Sequence, residues 1–148
     1  MEMSMEQPKI YYPAVIVAGL IQFFIGWLWY GMLFMTPWVE ATGVSMDAAQ
    51  SMSGGQMAAM YGGSLAAFLV VYYVMAHFVS YTRSTTAKQG IQTGFWSWLG
   101  FVATTIFVNI LYTMKPLMLW LIDGGYWLVC MLAGGALLAT WRKKEAGG

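Results

Sequence analysis

The chain has 148 residues, of which 59% are hydrophobic and only 9% charged, with a formal net charge of +1 and a mean hydropathy of +0.62. Soluble domains carry about 25% charged residues, so this composition excludes a water-facing surface, and the near-zero charge without a basic stripe gives no electrostatic case for nucleic acid. One cysteine, Cys130, and one histidine, His77, exclude an internal disulfide and are too few for a zinc site without help from carboxylates or other chains, so no metal and no cofactor is expected.

In chain order, "MEMSMEQPK" leads into an apolar run too long for a signal-peptide core, with no small-residue cleavage pattern after it, and is read as the lead-in to a retained first helix. Apolar segments then occupy residues 11–35, 57–81, 90–114 and 116–141. At 1.5 Å per residue, about 25 residues reach roughly 37 Å, more than the roughly 30 Å of hydrocarbon to be crossed. Lipid offers no partner for backbone N–H and C=O groups, so segments that span must be helices. The expected fold class is all-α: a polytopic membrane protein whose four transmembrane helices form two antiparallel hairpins in a single domain, 1–148.

The cations set the threading. Lys9, Arg83, Lys88, Arg142, Lys143 and Lys144 fall on the side of the two termini, and Lys115 alone on the other. The positive-inside rule then puts both termini in the cytoplasm and the chain in the cytoplasmic (inner) membrane. The long connection, residues 36–56, is extracytoplasmic; Thr36 before Pro37 and Ser45 before "MDAAQSM" open one or two short interfacial helices, which Gly54 and Gly55 end. Lys115 with Pro116 makes the last connection a tight hairpin. A faint internal echo links "GMLFMTP" to "NILYTMKP", each followed by a helix with a double glycine, Gly62 with Gly63 and Gly124 with Gly125; it suggests two hairpins related by an axis along the membrane normal.

Asp123 is the residue that least suits lipid. An acid at mid-span costs about 2.5–3.5 kcal/mol on insertion scales, and such a group is a functional candidate. Seven residues past Pro116 it sits in the early turns of its helix, roughly 10 Å along, where the dipole favours negative charge. The antiparallel layout brings Asn109, Tyr112, Tyr30 and Trp29 to a similar depth, with Lys115 able to snorkel back. This cluster reads either as an interhelical latch or as the lining of a path for a cation or small molecule.

Small residues form tracks: Gly90, Gly94, Ser97 and Thr104 on the third helix, and Gly124, Gly135 and Ala139 on the fourth, with Gly125 beside them. Such tracks let helices approach closely, within one chain or between two copies. Trp29, Tyr30, Trp38, Tyr61, Tyr112 and Trp120 fall at one interface and Tyr11, Tyr12, Tyr81, Trp96 and Trp141 at the other, as aromatic belts do. His77 and Ser97 share a depth, yet no glycine-flanked nucleophile motif surrounds Ser97 and no oxyanion donor can be named, so an enzyme is not expected.

The stretches "IGWLWYGMLFMTPW" (residues 25–38), "WLGFVATTIFVNILYTMKP" (98–116) and "LWLIDGGYWLV" (119–129) resemble the family called domain of unknown function 1761, small four-helix membrane proteins. Two positions depart from its pattern: Met32, where proline is expected after the glycine, and Trp127, where histidine often follows the tyrosine. The resemblance implies the four-helix architecture and no activity. The residues themselves point to a non-catalytic structural, accessory or self-associating membrane subunit, as a homo-oligomer or within a larger membrane complex in the lipid bilayer.

Overall fold

The computed structural model describes residues 7–142; Lys143 and Lys144, used above for orientation, lie outside the described residues. Among the described residues the regular structure is entirely helical, and four helices are long and apolar enough to cross a membrane: Tyr12–Leu33, Gly54–Tyr81, Ala87–Thr113 and Leu117–Thr140. Each lies within a few residues of the expected segment, and each boundary has a local cause. The first span opens as α1 (Tyr12–Leu28), with Pro13 in its first turn, where a missing N–H costs nothing. Its last turn, Trp29–Leu33, is a π-turn, and the backbone then breaks at Phe34 into α2 (Met35–Thr42). Gly43, at φ 69°, ends α2 in the left-handed conformation that glycine adopts without strain. Ser45 caps the short α3 (Met46–Gln50).

Gly54 and Gly55 do not end the loop helices, as the sequence suggests, but open the second span, α4 (Gly54–Tyr81). The reason is the preceding Ser53, which makes a capping box with Gln56: the serine oxygen takes the Gln56 N–H and the glutamine side chain takes the Ser53 N–H. Thr86 and Gln89 make the same box at the start of α5 (Ala87–Ser97). The third span then widens into a second π-turn, Trp98–Ala103, before α6 (Thr104–Thr113). Met114, at φ 52°, and Pro116 turn the chain into α7 (Leu117–Thr140).

The fourth span is the centre of the bundle: 44% of its most apolar stretch is buried, against 22% in each of the others. The third span crosses it with backbones in contact. A Cβ on Gly90 would strike the Gly135 carbonyl oxygen, one on Gly135 would strike that of Gly90, and one on Gly94 would strike that of Met131. Further along, Trp98 bonds Gly124 and Trp120 bonds Ala103, so the contacts rise along one span as they fall along the other and the two run antiparallel. Spans one and two do likewise, with Tyr12 on Tyr73 and Phe23 on Tyr61. Ala14, Ala18, Tyr72, Met75, Val79, Met131 and Leu138 form a core joining spans one, two and four near the termini. A smaller core, Ala41, Ile110 and Leu119 with Trp38 and Trp120, seats α2 on the far end of the third and fourth spans. The two double glycines play different parts: nothing lies within 4 Å of a Cβ on Gly62 or Gly63, whereas one on Gly125 would meet the Trp29 ring at 3.3 Å.

Candidate functional site

The site grows from the π-turn at the end of the first span. In a straight α-helix, eight residues advance about 12 Å, so Tyr30 and Trp38 would not converge on one atom. The π-turn, closed by the Phe34 N–H on the Trp29 carbonyl at 2.8 Å, and the break at Phe34 (φ −125°, ψ 21°) fold α2 back over the bundle. Both side chains then reach Asp123: the Tyr30 hydroxyl donates to Oδ1 at 2.7 Å and the Trp38 indole N–H to the same oxygen at 3.2 Å. Trp29 donates to the carbonyl of Ile122, next to Asp123, at 3.0 Å. Three donors, two from the last turn of span one and one from α2 behind it, therefore hold two consecutive residues of span four.

Aromatic rings close around the carboxylate. Tyr30 meets Trp38 edge-on with centroids 5.4 Å apart and Tyr126 at 5.1 Å, and Trp29 leans on Phe34 at 4.7 Å. Tyr126, one turn below Asp123, donates to the Gln22 carbonyl at 3.0 Å, and one further turn down Tyr72 donates to the Cys130 carbonyl at 3.0 Å. Positions 123, 126 and 130 share a helical face by three-and-four spacing. That face of the fourth span is thus tied by hydroxyls to the first and second spans along its length. Beside it Gln22 is fully buried, and neither its amide nitrogen nor its amide oxygen has a hydrogen-bond partner.

Of the residues expected near Asp123, Tyr30 and Trp29 are there; the others are not. Tyr112 is 84% exposed and Asn109 is exposed, its carbonyl bonded only to Thr113 of its own helix. For Asn109 the cause is the second π-turn, whose extra residue rotates what lies beyond it by about 100° relative to a regular α-helix and gives the buried place to Ile110 instead. Lys115 does not turn toward Asp123 either: its ammonium donates to the Thr42 carbonyl at 2.7 Å, at the C-terminal end of α2, where a cation suits the helix dipole. Trp38 and Trp120, together with Trp29, read from depth alone as belt residues, are interhelical donors instead. Gly90, Gly94 and Gly135 are at the closest helix contact, Gly124 contributes its carbonyl to Trp98, and Gly125 makes room for the Trp29 ring.

His77 bonds the Tyr73 carbonyl of its own helix at 2.9 Å and lies between the rings of Tyr73 and Tyr81, with no bond to Ser97. Among the described residues no three or more His, Cys, Asp or Glu side chains gather where a metal could be held.

The family described as Protein of unknown function (DUF1761) has a model that matches residues 13–139. The chain belongs to this family. The matched range takes in the four spans except for their outermost residues Tyr12 and Thr140, and every residue of the carboxylate cluster. No curated protein and no solved structure matches the chain.

Proposed function

We propose that this family member is a non-catalytic subunit of the cytoplasmic membrane that assembles with a second copy of itself, its termini in the cytoplasm and its Asp123 cluster serving as an internal latch. Lys9, Arg83, Lys88, Arg142, Lys143 and Lys144 against Lys115 support the orientation. The interdigitated rings and the donors from Tyr30 and Trp38 support the latch.

One observation carries the self-association. Every residue from Ser53 to Gly63 is exposed, so the outer part of α4 is little covered within the chain, although Tyr61 meets Phe23 of the first span. That stretch and the turn after it carry small residues four apart in two rows, Gly54, Ala58, Gly62 and Ala66 beside Gly55, Ala59, Gly63 and Ala67. Large apolar side chains serve a lipid-facing helix well; rows of glycine and alanine serve the close approach of another helix. A twofold pairing would set the same face of two copies against each other. The test is the mass of the protein in detergent and in nanodiscs, by light scattering or photobleaching steps: the wild type is expected as a dimer or larger, and Gly62→Leu with Gly63→Leu as a folded monomer that has lost only the stabilisation association supplies. A monomeric wild type in both media would refute the reading.

Two observations support a second reading: both donors to Asp123 use Oδ1, and the residue is only partly buried. A path for a cation would use the other carboxylate oxygen. Uptake of a monovalent or divalent cation into proteoliposomes, lost in Asp123→Asn, would favour it over the latch.

A further inference from the structure

At the end of the bundle that carries both termini, spans two and three lie together near their connecting loop and leave a groove of about 490 Å³ between them. Its loop end is polar. Thr82, Ser84 and Thr93 form a triangle of hydroxyls, with Thr82 to Ser84 at 2.8 Å, Ser84 to Thr93 at 3.0 Å and Thr82 to Thr93 at 3.2 Å, and Gln89 and Gln92 stand beside it. Its membrane end is apolar, lined by Phe78, Trp96 and Phe101, with Ser97 among them. The Phe78 and Phe101 rings approach to 6.2 Å. An amphiphile whose polar part lies at the interface and whose chain runs along the spans matches this gradient, and the volume is within the range of small-molecule sites.

Charge selects the amphiphile. Arg83 sits between two lining residues and Lys88 directly before a third, both exposed, and Lys9 and Arg142 belong to the same end. Between Asp47 and Asp123 the chain has no acidic residue; Glu40, Asp47 and Asp123 belong to the opposite end, and the other three acids, Glu2, Glu6 and Glu145, lie in the terminal stretches outside the described residues. Arg142 is already used, donating to the Ser84 carbonyl at 2.6 Å, which fixes the loop that presents the hydroxyls. Arg83, at φ 53°, is held outside ordinary helix geometry at the turn itself. Hydroxyls rotate to suit an acceptor, and cations at the membrane surface attract anionic lipids.

We infer that the groove between spans two and three is a binding site for one anionic phospholipid of the leaflet on the side of the termini, its phosphate at Thr82, Thr93 and Gln92, with the buried Ser84 holding the two threonine hydroxyls together, and one acyl chain between Phe78, Trp96 and Phe101. The phosphate is flanked by Arg83 and Lys88. A free phosphate ion would gain the polar end alone, so the lipid is the occupant.

The experiment is native mass spectrometry of the full chain released from micelles with equal amounts of phosphatidylglycerol and phosphatidylcholine. One phosphatidylglycerol per chain is expected to persist, preferred at least about fivefold over phosphatidylcholine, and Arg83→Gln and Lys88→Gln should each weaken it about fivefold. Gln92→Trp, at an exposed lining position, fills the groove without changing charge and should abolish the discrete adduct. Thr93→Val should weaken it with little loss of volume. Inorganic phosphate at equal concentration should not displace it. Equal retention of the two lipids, an adduct that survives Gln92→Trp, or displacement by inorganic phosphate alone would each overturn the assignment.

Discussion

Gly90 and Gly135 face each other across the third and fourth spans so closely that a Cβ on either would occupy the space of the other's carbonyl oxygen. In lipid, where burial of apolar surface does not drive helices together, such contact is a main source of association. Gly90→Leu and Gly135→Leu are therefore expected to destabilise the chain by at least about 2 kcal/mol, since neither backbone can yield without moving a whole helix. Gly62→Leu, with nothing within 4 Å of its Cβ, is expected to leave the unfolding of a single chain unchanged. Thermal unfolding in one detergent compares the pair; equal effects at Gly62 and Gly90 would contradict the asymmetry.

Asp123→Asn keeps an oxygen to accept from Tyr30 and Trp38, whereas Asp123→Leu leaves both donors without a partner. The expected result in detergent is near wild-type stability for the amide and a loss of about 1–3 kcal/mol for the leucine. If both variants unfold together with the wild type, Asp123 does not serve as a latch.

Tyr30 and Trp38 share one oxygen, so their contributions should couple. Tyr30→Phe and Trp38→Phe are each expected to cost about 0.5–1.5 kcal/mol, and the double variant less than their sum, because the first loss lets the remaining donor align better with Oδ1. Strict additivity in a double-mutant cycle would indicate two independent contacts.

Gln22 is expected to behave in the opposite sense. Its side chain is buried with both amide atoms unpaired, so Gln22→Leu or Gln22→Met, close in volume, should raise the unfolding temperature by the equivalent of about 1 kcal/mol. A fall would mean that the amide is satisfied by a bound water or ligand. The backbone carbonyl that receives Tyr126 is untouched by either change.

Much of the fold was legible because lipid imposes a simple length rule, and four oily stretches of about 25 residues can satisfy it only as helices; the starts of the second and third spans, set by the caps Ser53 and Thr86, were not. The glycine track was legible for a similar reason: Gly90, Gly94 and Gly135 share faces at regular α spacing, and the helices there are regular. The candidate site was half legible. Asp123 announces itself by its cost in lipid, and Tyr30 lies at its depth, but Trp38 reaches it only through a π-turn and a backbone break that residue spacing does not encode. The second π-turn turned Asn109 outward for the same reason. Depth can be counted along a chain, whereas the face a residue presents depends on every turn before it. Gln22 carries a signal of its own, a lone amide within an apolar run of the first span.

Cysteine cross-linking in native membranes most directly tests whether the outer part of the second span receives a second copy. In a Cys130→Ala background, a cysteine at Gly62 is expected to give a disulfide-linked dimer on mild oxidation, while one at Phe101, exposed on the third span, gives none. No dimer from position 62, or equal yields from both, would contradict the account.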